Sequence, residues 1–190
     1  MSNIKNFKNF NNKDIFTCIK NNNIQSIKNY IYFGYDLNVD NYGYTPLIYV
    51  SISNQIEIAK LLLNAGADVN KQNNIGSTAL IYAAYNNNIE IVKLLLNSDA
   101  DIDKQNSAGR TALMSAAYNN NREIIELLLD YYADEFTLDY NNKSFYDYLN
   151  DKNKQYFLHK YPTSVYNAIS HNYKKSFTEF VKDYNIKIKK

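Results

Sequence analysis

Few residues in this 190-residue chain are of types that do chemistry, and their spacing decides what they can do. Cysteine occurs once, as Cys18, and histidine twice, as His159 and His171. A single cysteine admits no intramolecular disulfide and no cysteine-rich zinc site. The two histidines fall on different predicted helices with no paired carboxylate motif beside them, and read as surface or capping residues. Asp99-Ala100-Asp101-Ile102-Asp103 opens like a calcium loop, which gathers hard oxygen ligands from positions close in sequence. The next position should then be glycine and is Lys104, and the twelfth should be glutamate and is Arg110, so the segment reads as an ordinary loop. There is no Gly-rich phosphate loop, nucleophile elbow or carboxylate pair. The expectation is a chain that is not an enzyme, with no catalytic residue, metal or cofactor.

Targeting and charge narrow the class further. The first eleven residues, a polar Asn- and Lys-rich segment, lead into no apolar stretch of signal-peptide type. The longest apolar run, residues 79–85, is too short to span a bilayer. A soluble, cytoplasmic monomer is expected. Asn142-Lys143-Ser144 matches the N-glycosylation triplet, but 31 asparagines make chance matches routine. That excess, with 19 tyrosines and no tryptophan, reflects AT-rich codons before any physical demand. The net charge of +2 conceals 11 basic and 14 acidic residues up to position 138, then ten lysines against five acids. The terminal Lys187-Ile188-Lys189-Lys190 reads as a solvated end, because nucleic-acid binding needs a larger contiguous basic footprint. Neither nucleic acid nor membrane is expected as a partner.

The elements that carry these residues are set by a repeat. Gly43, Gly76 and Gly109 recur every 33 residues, with Asn142 a further 33 on. The same register aligns Thr45, Thr78, Thr111 and Ser144, and the three Leu-Leu-Leu triplets at 61–63, 94–96 and 127–129. Within each unit, a threonine able to cap precedes a short helix, and Pro46 suits a first helical position that needs no N–H. Leu80, Ala83 and Ala84 form one apolar stripe on a first helix, and small alanines permit close approach of a neighbour. On the second helix, Ile91, Leu94 and Leu95 are expected to be buried, and Glu90 and Lys93 exposed. Asn22, Asn54, Asn87, Asn120 and Asn153 fall where the chain reverses between the two helices. Asparagine tolerates positive φ better than other non-glycine residues, so several of the five are expected there.

These motifs resemble the ankyrin repeat. The family's G-x-T-P-L-H-x-A-A pattern stands as Gly43-Tyr44-Thr45-Pro46-Leu47-Ile48-Tyr49-Val50-Ser51 and recurs from Gly76 and Gly109. Its E-I-V-x-L-L-L-x-x-G-A-D-V-N pattern runs from Glu57 to Asn70. The usual histidine is Ile48, Ile81 or Met114, so the polar link it makes between units is expected to give way to apolar packing. The resemblance implies an all-α solenoid of about five helix-turn-helix units with short β-turn fingers. The units run about 12–39, 40–72, 73–105, 106–138 and 139–162, after a polar segment 1–11. Cys18 takes the buried small-residue slot of the first unit, aligned with Val50, Ala83 and Ala116, where a thiol is inert. Residues 163–190 form a helical extension or cap, with Val165 and Ile169 on one helix and Phe177, Phe180, Val181 and Tyr184 on the next.

The resemblance also implies a function, protein–protein recognition on the concave face made by finger tips and first helices. The residues mapping there are Tyr42, Tyr44, Ile52, Ile75, Tyr85, Arg110, Tyr118 and Tyr140. Tyrosine and arginine are the residue types over-represented among interface hot spots. The alternative is an adaptor or host-directed effector whose C-terminal extension engages a second partner.

Overall fold

The computed structural model describes residues 14–170, 176–184 and 186. His171, the polar segment 1–11 and the terminal lysines lie outside those residues. Eleven α-helices occur among them: α1 (Asp14–Lys20), α2 (Ile24–Tyr32), α3 (Pro46–Ser53), α4 (Ile56–Asn64), α5 (Ala79–Tyr85), α6 (Ile89–Leu96), α7 (Ala112–Tyr118), α8 (Arg122–Asp130), α9 (Asp151–Lys160), α10 (Pro162–Ile169) and α11 (Phe177–Asp183). The fold is the all-α repeat architecture. Two compact bodies are formed, one from residues up to 83 with 88–101, the other from 84–87 with 102 onward.

Each helix pair is delimited by the same local chemistry. Thr45, Thr78 and Thr111 accept backbone N–H bonds from Ile48, Ile81 and Met114 at 3.2, 3.3 and 3.3 Å, a cap of about 1 kcal/mol each. The reversals after the first helices place Asn22, Asn54, Asn87 and Asn120 at φ of 48–60°, as expected. Asn153 departs from this, because the fifth repeat's first helix shrinks to a single 3-10 turn, Tyr146–Tyr148. Asn150 then caps α9 early by accepting from the Asn153 N–H at 2.9 Å, which draws Asn153 into the helix.

The second helices end on another left-handed residue, and only part of that series is glycine. Gly34, Gly66, Asp99 and Tyr132 all have positive φ. In each case the two N–H groups that follow the helix reach back to carbonyls near its end, such as Asp99 to Leu96 and Ala100 to Leu95. This pairing closes orphan carbonyls of the last turn.

In the first body α1 packs on α2 and α3, and α4 on α2, α3 and α6. In the second α7 packs on α8 and the 3-10 turn, and α10 on α9, α11 and the 3-10 turn. Leu80, Ala83 and Ala84 are buried, and so is Cys18 in its aligned slot. The second-helix stripe is Ile91, Val92 and Leu95, whereas Leu94 is half-buried. Ile58-Ala59-Leu62 and Ile124-Ile125-Leu128 repeat this stripe. Full burial of each such leucine contributes about 1.5–3 kcal/mol.

Polar links between repeats persist without the family histidine, contrary to the expectation of purely apolar packing. The last turn of each first helix leaves carbonyls with no helical donor. Gln55 Nε2 donates to Ile19 O (3.0 Å), Asn88 Nδ2 to Ser51 O (2.7 Å) and Asn121 Nδ2 to Ala84 O (2.8 Å). A second ladder runs along the loops, where side-chain oxygens of Asn38, Asn70 and Asp103 accept from the N–H groups of Asp68, Asp101 and Asp134 at 2.7–2.8 Å. The Asp99–Asp103 segment is thus a structural loop joined to its neighbours.

Candidate functional site

The fingers are built by their first residue. Asn73, Asn106 and Asp139 each turn a side-chain oxygen onto two N–H groups of their own loop at 2.8–3.1 Å. Gly76, Gly109 and Asn142 supply the positive φ that closes these loops. The first finger differs. Asn41 and Tyr44 exchange both backbone bonds across Tyr42 and Gly43, which both have positive φ, so the turn is of the I′ kind. A Cβ on Gly43 or Gly109 would come within 2.7 Å of Asn74 or Tyr140, so the next finger's side chain occupies that space.

In the first body Tyr42 is 88% exposed at the finger tip, and Ile52 and Ile75 are also exposed. Tyr44 is half-buried, with its hydroxyl accepting from Tyr82 at 3.2 Å. Asn73 Nδ2 donates to the Tyr82 oxygen at 3.0 Å. Burial first, then the bond to Tyr44, pushes the Tyr82 hydroxyl up to about 12. This polar triad ties finger to helix and leaves Tyr42, Ile52 and Ile75 as the accessible apolar surface.

In the second body the sequence positions converge more tightly. Tyr85 and Tyr118 stack with centroids 6.1 Å apart and an interplanar angle of 20°. The Arg110 guanidinium lies 5.5 Å from the Tyr118 ring centroid and 5.0 Å from that of Tyr148. Lys143 approaches the Tyr148 ring at 5.6 Å. Tyr85 and Tyr118 remain 44% and 50% exposed, so the stacked pair is braced but open. Asn119 Nδ2 adds a bond to the Tyr85 carbonyl at 2.6 Å. Tyr140 stands at the finger tip with its ring against Gly109 and its N–H donating to Ala108 O at 3.1 Å.

Tyr148 is the member of this cluster that sequence reasoning missed. Its hydroxyl donates to the Asp139 carboxylate. Burial would raise that carboxyl, but the Tyr148 hydroxyl and the Lys143 and Asn141 N–H groups outweigh it and hold Asp139 below its ordinary value. Burial and the bond to Asp139 push Tyr148 up, against the opposing charge of Arg110. Tyr148 keeps the 33-residue register of Tyr49 and Tyr82, so the alignment of repeats carries it. The signal available was that alignment, since Tyr82 at the matching position also bonds to its finger, through Tyr44.

Nothing in either cluster is arranged as nucleophile, base and oxyanion donor. Among the described residues no group of three His, Cys, Asp or Glu is placed to hold a metal ion. His159 lies on α9 with Nδ1 2.7 Å from the Gln155 carbonyl. No helix of the described residues is long and apolar enough to cross a membrane. No curated protein matches the chain. The family model of ankyrin repeats, in three copies, matches residues 4–73 and 66–143. Ankyrin repeats are generally protein–protein interaction modules and typically carry no chemistry of their own. With capped helix pairs, fingers and a 33-residue register in place, this chain belongs to the ankyrin-repeat family.

Proposed function

We propose that the chain is a non-catalytic recognition module that takes a protein partner on its finger and first-helix side. Tyr85, Arg110, Tyr118 and Tyr140 supply the contact surface of the second body, and Tyr42, Ile52 and Ile75 that of the first, with Tyr44 half-buried and tied to Tyr82. The observation that carries the reading is the Tyr85–Tyr118 stack, half exposed while Arg110 braces one of its rings. A surface already fixed loses little conformational entropy when a partner arrives. Changing Tyr85 and Tyr118 together to serine is expected to weaken a partner captured by the wild-type protein at least about tenfold, given about 2 kcal/mol or more per hot-spot truncation. Unchanged affinity with an unchanged circular dichroism spectrum would dismiss this surface.

The adaptor alternative requires the tail to offer an apolar stripe. Phe180 is instead fully buried, and Tyr166 of α10 holds Phe177 and Phe180 at 5.2 and 5.5 Å. With α10 packed on α9 and the 3-10 turn, that arrangement supports the tail as a cap.

A further inference from the structure

The second helices of the second body carry a groove that the finger-side reading does not use. It has a volume of about 550 Å³ and is lined by Arg122 of α8 with Lys152, Gln155, Tyr156, His159 and Lys160 of α9. Lys152, Gln155, Tyr156, His159 and Lys160 follow an i, i+3, i+4, i+7, i+8 spacing, so one face of α9 supplies five of the six.

Two of the cations are held in place. Arg122 stacks over the Tyr156 ring at 4.0 Å and donates Nη2 to Asn153 Oδ1 at 2.7 Å. Lys160 reaches Glu126 at 2.8 Å and the Tyr156 hydroxyl at 2.9 Å. Of the three cations that line the groove, Lys160 is paired with Glu126. Lys152 is exposed at the mouth of the groove. The matching groove of the first body, between α2 and α4, is lined by Lys28, Ile31, Tyr32, Leu61, Asn64 and Ala65. It holds one cation among largely apolar side chains, where the α8–α9 groove holds three.

We infer that the α8–α9 groove is a second docking site, for an acidic segment of a protein partner. Charge complementarity selects the occupant: a guanidinium held on a ring and flanking lysines attract a run of carboxylates. An extended polyacid places carboxylates every two residues along one side, matching a groove that runs along a helix.

The test uses the full-length protein and a fluorescein-labelled octaglutamate peptide, followed by anisotropy at 50 mM and 300 mM salt. Saturable binding is expected at low salt, weakened about tenfold or more at high salt. Lys152→Glu is expected to weaken it at least about fivefold, whereas Lys28→Glu leaves it unchanged. Equal loss from both substitutions, or no loss from either, would assign the binding to general charge or to the terminal lysines and overturn the inference. Full competition by 10 mM inorganic phosphate would overturn it in favour of a free-anion site. Tighter binding of an octauridylate than of octaglutamate, lost in Lys152→Glu, would overturn it in favour of RNA. Because Tyr85 and Tyr118 lie outside the groove, their serine variants are expected to bind octaglutamate normally.

Discussion

Asn87 and Asn88 are neighbours of the same type, and the structure assigns them opposite consequences. Asn87 is exposed at φ 60°, where glycine is at least as comfortable. Asn87→Gly relieves a left-handed residue and adds freedom to the unfolded chain, two effects of about 0.5–1 kcal/mol that oppose each other. The net change is expected to stay within about 0.5 kcal/mol. Asn88 is 8% exposed, at φ −90° and ψ 72°, and makes no side-chain cap to its own helix. Its amide donates to the Ser51 carbonyl at 2.7 Å, in the last turn of α3. Ser51 is fully buried, so Asn88→Ala leaves that acceptor without its partner and is expected to cost about 1–3 kcal/mol.

Urea unfolding followed by far-ultraviolet circular dichroism separates the two cases, provided the slope m is unchanged. For a chain of this length 2 kcal/mol corresponds to a fall in melting temperature of about 4–8 °C. If Asn88→Ala and Asn87→Gly both fall within about 0.5 kcal/mol of wild type, the asparagines are compositional bias and the inter-repeat amide ladder contributes nothing. If Asn88→Ala lowers m as well as the midpoint, the loss has split the unfolding into steps, as weakened nearest-neighbour coupling does in repeat proteins.

Two further outcomes follow from the same geometry. Tyr132 is 91% exposed at φ 63° where the first repeats have glycine, so Tyr132→Gly is expected to raise the melting temperature, by about 0.5–1 kcal/mol of stability once unfolded-state entropy is counted. Asp139 titrates lower in the folded state than its unfolded value of about 3.9, so its contribution is complete above about pH 4 and is lost as the pH falls through the folded value. Urea midpoints between pH 6 and pH 3 are expected to show a shallower acid-side loss in Asp139→Asn than in wild type, and parallel curves would contradict the assignment.

The repeat was legible because glycine, threonine and leucine recur at one period, and a single period with capping signals leaves one arrangement of helices. The departures have separate physical causes. Val92 is buried and Leu94 half-buried because the α6 face also packs on α4, which the period of one helix does not describe. Asp99 and Tyr132 take the glycine position of the second-helix end because backbone bonds to Leu95, Leu96, Leu128 and Leu129 hold the reversal there. Asn153 departs because Asn150 caps α9 early, whereas Phe157 and Leu158 keep the buried register of Ile124 and Ile125.

The asparagine excess joins these findings to the candidate sites. A codon bias explains how many asparagines there are, but not that Asn88 and Asn121 donate to carbonyls left open at the ends of α3 and α5. Any composition supplies polar side chains at random, and a helix end accepts whichever amide reaches it. With these links made by amides, the family histidine has no remaining task, and its slot is free to hold Ile48, Ile81 and Met114, all buried. The repeats are therefore joined by apolar contact inside and amide bonds at the helix ends. Tyr85 and Tyr118 are needed for neither, which leaves their exposed faces available for a partner.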